Sequence, residues 1–359
     1  MNTLLGVIYG ISYIASSAGE TLVVKALNYG SAPLQLPAYT ALLSNQLWIF
    51  LLPIYVYLLA EKEKTEPSKT NYPLQYTVIG LLTFAITLLR NISVNSMSGS
   101  VFSLLISTSI LFNMILSCVL LKKNYNRWHI LAATFCISSA LSIGGTVLFT
   151  TQENQSESNF NLGIPTAIGA AFFIALMNVS QEYIQSSWDN YNLRMVEMTL
   201  ISSLIASGLI LIYSITSGEI YKWKTDLLYS TIDKEGRIRV IICSLALPIL
   251  KLIIRNTKYL IIQASNAFFF EFVQAASALL GSVACILIFN EPWDIGYIFA
   301  FMLLAISFAL YSKAKNVLKE DLLKAITTKA VDTVVFENPI GDTIINKQNK
   351  VLLHITIWK

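Results

Sequence analysis

The sequence predicts an all-α membrane protein of ten transmembrane helices, arranged as two inverted five-helix repeats. Of its 359 residues, 55% are hydrophobic and only 13% are charged, whereas soluble domains carry about 25% charged residues. The hydrophobic residues fall into ten blocks, each near the roughly 20 residues that a helix needs to cross a bilayer. A short motif of the first half also recurs in the second half. A polytopic membrane protein built by duplication is therefore expected.

The predicted spans follow one another with short polar connections. The first repeat, 1–150, contains the apolar blocks 4–27, 36–60, 73–95, 99–121 and 128–150. After an external linker at 151–162, the second repeat, 163–314, contains 163–186, 195–217, 239–260, 266–289 and 295–314. Block one lacks the basic start and the cleavage site of a signal peptide, so it is expected to stay as a span. Residues 315–359 form a cytoplasmic tail that begins with a short amphipathic stretch.

The distribution of Lys and Arg predicts that both termini are cytoplasmic. Basic residues near span ends tend to stay in the cytoplasm. With the N-terminus inside, eleven Lys and Arg residues lie in cytoplasmic connections and five lie outside, all five in the loop between spans seven and eight. The linker then carries an external sequon at Asn154, a candidate glycosylation site. The sequence does not distinguish an endomembrane or vacuolar location from the plasma membrane.

The internal repeat predicts how the two halves are related. Residues 88–93 read Leu-Leu-Arg-Asn-Ile-Ser and residues 253–258 read Ile-Ile-Arg-Asn-Thr-Lys, each near the end of the third span of its half. Because five spans is an odd number, the two halves enter the membrane from opposite sides. Such halves are related by an axis in the membrane plane, and the solute site lies at their interface near mid-membrane. The pattern therefore favours transport by alternating access.

Three segments resemble the drug/metabolite transporter superfamily. They are Asn91 with 96–105, the counterpart 256–270, and the Phe-Asn-Glu-Pro-Trp turn at 289–293. The resemblance covers roughly 4–314 and implies ten helices in two repeats. Residues 103–108 with Phe112 and Asn113 are similar to the fourth helix of purine permeases and of the chloroquine-resistance-transporter-like branch. The paired lysines of plastid sugar-phosphate translocators have no equivalent, and Lys123 stands where the family's first repeat commonly has an acidic residue.

Placing an ionisable side chain inside a membrane span costs free energy, so such side chains usually face a cavity or a partner. Glu20 and Arg90 are expected at matching depth in the outer third of the membrane, and Arg255 and Glu271 at matching depth in the inner third, with Lys251 nearer the centre. These pairs could hold helices in register, form gates, or bind an anionic solute. A further candidate set consists of polar residues on spans three, four and eight: Asn91, Ser107, Asn113 and Asn256.

The predicted function is transport of a small polar or amphiphilic organic metabolite, either by exchange or coupled to a proton. Glu20 and Glu271 are the candidates for proton coupling. The alternatives are an antiporter of a phosphorylated metabolite or nucleotide sugar, and a non-transporting receptor or scaffold. An enzyme is disfavoured because His129 and His354 are the only histidines and neither is near a second plausible metal ligand. No metal, cofactor or nucleic acid is expected as a partner, and the chain is expected to be a monomer or dimer in the bilayer.

Overall fold

The structure is a computed structural model, and every regular element that it describes is an α-helix. It describes residues 3–27, 37–62, 72–96, 105–151, 157–188, 191–230, 234–289 and 295–336. The first part of the chain forms α1 (Thr3–Leu27), α2 (Pro37–Asn45), α3 (Trp48–Lys62), α4 (Tyr72–Ser96), α5 (Ser109–Leu120) and α6 (Arg127–Thr151). The second part forms α7 (Glu157–Gln185), α8 (Tyr191–Thr216), α9 (Glu219–Ser230), α10 (Lys234–Ala264), α11 (Ala267–Phe289) and α12 (Gly296–Phe336). The all-helical prediction is confirmed over these ranges.

Seven stretches within these helices are long and apolar enough to cross a membrane. They are Val7–Val24, Ala38–Leu59, Pro73–Arg90, Gly163–Gln185, Tyr191–Thr216, Ala267–Phe289 and Gly296–Ala314. The other three predicted blocks also coincide with helices, namely the short apolar helix α5 and the longer α6 and α10. The second predicted span is interrupted by a turn at Gln46 and Leu47, which separates α2 from α3. The chain is therefore an integral membrane protein with several spanning helices.

The helices of the first part of the chain pack mainly against helices of the second part. Helix α1 packs along α10 and α11, whereas α7 packs along α4 and α5. Helix α8 packs against α2, α3 and α4. Large apolar side chains such as Val56, Val119 and Leu287 are exposed on the outside of the bundle, as expected for residues that face lipid tails.

Two glycines allow helices to approach closely. A Cβ atom on Gly80 of α4 would lie 2.9 Å from the Cβ of Ile205 on α8. A Cβ atom on Gly281 of α11 would lie 3.3 Å from Oγ1 of Thr21 and 3.6 Å from Cα of Ala18, both on α1. Small residues at such crossings let the backbones of membrane helices come together. These two contacts join helices of the two halves of the chain.

The chain divides into two compact units, Met1–Leu310 and Tyr311–Lys359. The first unit contains the bundle. In the second unit, α12 continues as a helix as far as Phe336. The amphipathic start of the predicted tail is therefore the end of a long helix and not a separate short one.

Candidate functional site

A buried carboxylate lies where α5, α7 and α11 meet. Glu271 is 3% exposed and lies in the second turn of α11, whose start is capped by the Asn266 side chain through the N–H of Phe269 at 2.6 Å. Ser109 donates to Glu271 Oε2 at 2.6 Å, and the amides of Asn113 and Asn178 donate to Oε1 at 3.0 and 2.7 Å. All three partners are neutral. We call Glu271, Ser109, Asn113 and Asn178 the carboxylate cluster.

Helix α7 extends this cluster with a line of amides that have unused hydrogen-bonding atoms. Asn178, Gln181 and Gln185 follow steps of three and four residues, so they share one face of the helix. All three are buried. Asn178 Oδ1, Gln181 Oε1 and both polar atoms of the Gln185 amide have no hydrogen-bond partner among the described residues. Buried polar atoms are normally paired, so this amide line is suited to bind a polar solute or water.

A second group of charges lies between α1, α2 and α10. Lys251 of α10 forms an ion pair with Glu20 of α1 at 2.6 Å. One turn further along α10, Arg255 donates to Asn45 Oδ1 at 2.7 Å. The charges of Arg90 and Arg255 also act on the Glu20 carboxylate. We call Glu20, Lys251, Arg255 and Asn45 the ion-pair cluster.

Tyr13 and Phe270 link the two clusters. Their rings meet edge to face with centroids 4.9 Å apart. The charges of both Glu20 and Glu271 act on the Tyr13 hydroxyl. Lys258 of α10 lies 7% exposed beside them, with its ammonium 5.4 Å from the centre of the Phe270 ring. The buried interior thus combines carboxylates, cations, amides and aromatic rings.

A contact at one end of the bundle joins three separate segments. Lys123, in the turn between α5 and α6, forms an ion pair with Glu182 of α7. The other oxygen of Glu182 accepts the N–H of Ala267 at 3.0 Å, at the start of α11. Tyr125 of the same turn packs against Phe268 with centroids 4.9 Å apart. A cavity of about 480 Å³ opens beside this turn and is lined by Met114, Cys118, Lys122, Lys123, Asn124, Tyr125 and Ile130.

The pairing of Arg255 with Glu271 predicted from depth is wrong, whereas the pairing of Glu20 with Arg90 stays a prediction. Glu20 forms an ion pair with Lys251, and the charge of Arg90 also acts on it. Glu271 accepts hydrogen bonds from neutral residues, whereas Arg255 donates to Asn45. The physical reason is the packing of the helices: α10 contacts α2, where Arg255 meets Asn45, whereas Glu271 on α11 meets α5 and α7. Matching depth is necessary for a contact but does not determine which helices are neighbours.

Of the other predicted residues whose side chains the structure describes, only Asn113 lies in one of the two clusters described above. Asn113 is in the carboxylate cluster, and Ser107 lies in the turn just before α5. Asn256 is half-buried on α10. The backbone of Asn91 is in α4, but its side chain lies outside the described part of the structure, as does the whole of Asn154.

Several buried polar residues of the interior carried no prediction as site residues: Asn45, Ser109, Asn178, Gln181, Gln185 and Lys258. Lys258 lies near the end of the predicted block 239–260, whereas α10 continues to Ala264 and the Lys258 side chain is buried. The amide line on α7 had a detectable signal in its helical spacing. The positions of Asn45 and Ser109 depend on long-range packing, for which the sequence carries no local signal.

Comparisons with known proteins point to one family. A family model described as purine nucleobase transmembrane transport matches residues 28–320. No curated protein matches the chain. Among solved structures, one titled "Crystal structure of protein" aligns with a TM-score of 0.60 at 12% identity, covering 88% of this chain and 99% of its own. At that identity the likeness concerns the fold alone.

Proposed function

This chain belongs to the purine nucleobase transmembrane transport family, and on that basis we propose that it carries purine nucleobases across a membrane by alternating access. The family match and the apolar helices identify the chain as an integral membrane transporter of small metabolites. What supports the finer proposal is the carboxylate cluster, since its groups match the edge of a purine. The solute would bind at Glu271 and along the amide line of α7.

The chemistry of the cluster complements a purine ring. A purine presents N–H donors and nitrogen or carbonyl acceptors in one plane at its edge. The carboxylate of Glu271 accepts N–H groups, whereas the amides of Gln181 and Gln185 can both donate and accept. The solute would replace the Asn113 or Asn178 amide at Glu271 and use the unpaired amide atoms on α7. A site built to hydrogen-bond a ligand rejects analogues that leave its buried polar groups unpaired.

Aromatic residues near the cluster suit the flat face of the same solute. Tyr13 and Phe270 lie beside Glu271 on α1 and α11. Trp188 and Tyr191 lie beyond the amide line, with centroids 5.2 Å apart and buried polar atoms that have no partner among the described residues. Stacking of a base on an aromatic ring contributes about 1–3 kcal/mol. Hydrophobic contact and hydrogen bonding would therefore act on the same ligand.

The packing of the helices supports alternating access. In an inverted repeat, the contact of α1 with α10 and α11 should have a counterpart in the contact of α7 with α4 and α5. Both sets of contacts are present and are among the most extensive in the bundle. A solute site between such halves can be opened to either side by rocking one half against the other. Glu271 lies on α11 and takes its partners from α5 and α7, so motion at this interface would change its surroundings.

We assign the proton role to Glu271 and not to Glu20. The Lys251 ammonium already balances the charge of Glu20, whereas Glu271 is held by neutral donors. A carboxylate that binds either a proton or the N–H groups of the solute exchanges one for the other. The transporter would then move purine in one direction and a proton in the other.

Uptake by proteoliposomes tests the proposed function. The purified full chain should take up labelled purine in a saturable way, with competition by unlabelled adenine or hypoxanthine but not by uracil. Glu271→Gln should lower the initial rate at least about tenfold, because a hydrogen bond to a charged group contributes roughly 1.5–3 kcal/mol. Glu197→Gln is the matched control: it removes a carboxylate that pairs with Arg194 on its own helix, and it should keep uptake.

Other outcomes of the same experiment would contradict the proposal. Competition by nucleoside monophosphates or nucleotide sugars, with none by purine bases, would favour an antiporter of anionic metabolites. Absence of saturable flux for every solute would favour a receptor or scaffold. Equal losses in Glu271→Gln and Glu197→Gln would remove Glu271 from the site.

The direction of the pH effect tests the exchange of solute for proton. Acid on the side from which purine enters should slow uptake, because protonated Glu271 cannot accept the N–H groups of the solute. Acid on the opposite side should speed uptake. Uptake by Glu20→Gln liposomes should keep this pH dependence and uptake by Glu271→Gln liposomes should lose it. The assignment is wrong if Glu20→Gln flattens the pH profile and Glu271→Gln does not.

A further inference from the structure

We propose that Lys258 makes the site selective for 6-oxopurines over 6-aminopurines by donating a hydrogen bond to the carbonyl oxygen at position 6. The inference rests on the proposed function, because it concerns the same site. It specifies which half of the purine family the site accepts. It also gives a role to a buried residue that neither cluster uses.

Lys258 is a buried cation without a hydrogen-bond acceptor among the described residues. Its side chain is 7% exposed and its ammonium faces the Phe270 ring at 5.4 Å. No hydrogen bond or ion pair joins it to another residue in the described part of the chain, although the charge of Glu271 acts on it. Burial of an ammonium is expensive unless the group is paired and hydrogen-bonded. The position is therefore suited to a ligand that brings an acceptor.

The charges along α10 do not balance. Lys251, Arg255 and Lys258 follow steps of four and three residues, so the helix directs all three to one side. The carboxylates whose charges act on them are Glu20 and Glu271. Three cations thus face two anions, and Lys251 already forms an ion pair with Glu20. The remaining positive charge favours a solute with negative character on this side, such as a carbonyl oxygen.

Lys258 and Glu271 determine which donor and acceptor groups the solute must present side by side. A 6-oxopurine carries a carbonyl oxygen next to the N1–H donor, so Lys258 can donate to the oxygen while Glu271 accepts the N–H. A 6-aminopurine carries an amino group next to an unprotonated ring nitrogen. In the same orientation it would place N–H groups against the ammonium and a nitrogen lone pair against the carboxylate. Both contacts would be repulsive, and one well-matched pair of contacts discriminates between bases by about 1–3 kcal/mol.

Competition assays with two purines test the proposal. In proteoliposomes that contain the full wild-type chain, hypoxanthine should inhibit uptake of labelled purine at a concentration at least about tenfold lower than adenine does. In Lys258→Met, the inhibition constant for hypoxanthine should rise about tenfold or more, and that for adenine should rise by a smaller factor or fall. Lys258→Arg should keep the preference for hypoxanthine. Lys222→Met, on the exposed surface of α9, is the control and should behave as wild type.

A second measurement keeps the proposal testable if Lys258→Met does not fold. Hypoxanthine should raise the midpoint of thermal unfolding of the wild-type protein in detergent more than adenine does at the same concentration. Equal inhibition by the two purines, or a preference for adenine, would overturn the role of Lys258 and leave purine transport intact. Failure of every purine to inhibit would instead overturn the proposed function.

Discussion

At the scale of single residues, the two buried glutamates differ in what balances their charge. Glu20 forms an ion pair with Lys251 at 2.6 Å. Glu271 accepts hydrogen bonds from one hydroxyl and two amides. Removing one member of a buried ion pair leaves the other charge without compensation, whereas hydroxyls and amides tolerate a neutral partner better. Glu20 should therefore matter more for stability, and Glu271 more for the solute.

This difference predicts the stability of two matched variants. Glu20→Gln should lower the free energy of unfolding by about 3–5 kcal/mol, because the Lys251 ammonium loses its partner. Glu271→Gln should cause a clearly smaller loss. Thermal or denaturant unfolding in detergent micelles, followed by tryptophan fluorescence, measures both. The double variant Glu20→Lys with Lys251→Glu should recover most of the lost stability, and a Glu20→Gln protein as stable as wild type would show that the pair has no structural role.

Much of the site could be predicted from ionisable residues within apolar blocks, but its contacts could not. That rule identified Glu20, Lys251, Arg255 and Glu271, since a charge in a membrane span needs a reason to be there. It failed for Lys258, which lies at the edge of its apolar block. It also paired Glu271 with Arg255, which donates to Asn45 instead, because hydropathy gives depth in the membrane and not the order of helices around the bundle.

At the scale of helices, the crossing of α4 and α8 depends on the absence of a side chain at Gly80. A Cβ atom there would lie 2.9 Å from the Cβ of Ile205, closer than real Cβ contacts. Because the nearest atom belongs to a β-branched side chain close to its own backbone, it cannot rotate away. The helices themselves would have to separate.

Gly80→Ala should therefore destabilise the protein by about 1–3 kcal/mol, the usual effect of overpacking. Gly208→Ala on α8 is the matched control. Nothing lies within 4 Å of a Cβ atom at Gly208, and alanine favours a helix over glycine by about 1 kcal/mol. The midpoints of thermal unfolding should move in opposite directions in the two variants. If Gly80→Ala and Gly208→Ala unfold at the same temperature, the crossing of α4 and α8 does not depend on the absence of a side chain at Gly80.

At the scale of the whole molecule, the number of spans decides where the termini lie. Seven helices alone are an odd number and would place the two termini on opposite faces of the membrane. If α5, α6 and α10 cross as well, the number is ten and the termini share one face. Helices α6 and α10 are 25 and 31 residues long, more than the roughly 20 residues that a span requires, and α5 lies within the apolar block 99–121. We therefore expect ten crossings.

Accessibility of terminal tags tests this expectation. In sealed vesicles of one orientation, tags before Thr3 and after the described end of α12 should both react with an impermeant reagent, or both be protected. Opposite reactivity would exclude the inverted five-helix repeats. The apolar blocks could be found in the sequence alone, because each block is a local property, and this topology stays a prediction from their number. The reciprocal packing of α1 and α7 required the structure, since it depends on helices that are far apart in the sequence.

The contact of Lys123 with Glu182, and of Glu182 with the N–H of Ala267, has a consequence for how the cycle responds to electrolytes. Both charged side chains are partly accessible, at 29% and 17%, so ions in the adjoining compartment reach them and weaken their attraction over a Debye length of about 10 Å at 0.1 M. Salt on that side should weaken the contact that holds the turn between α5 and α6 against α7 and α11. The same salt across the bilayer should leave it unaffected, so the transporter would sense ionic strength on one side only.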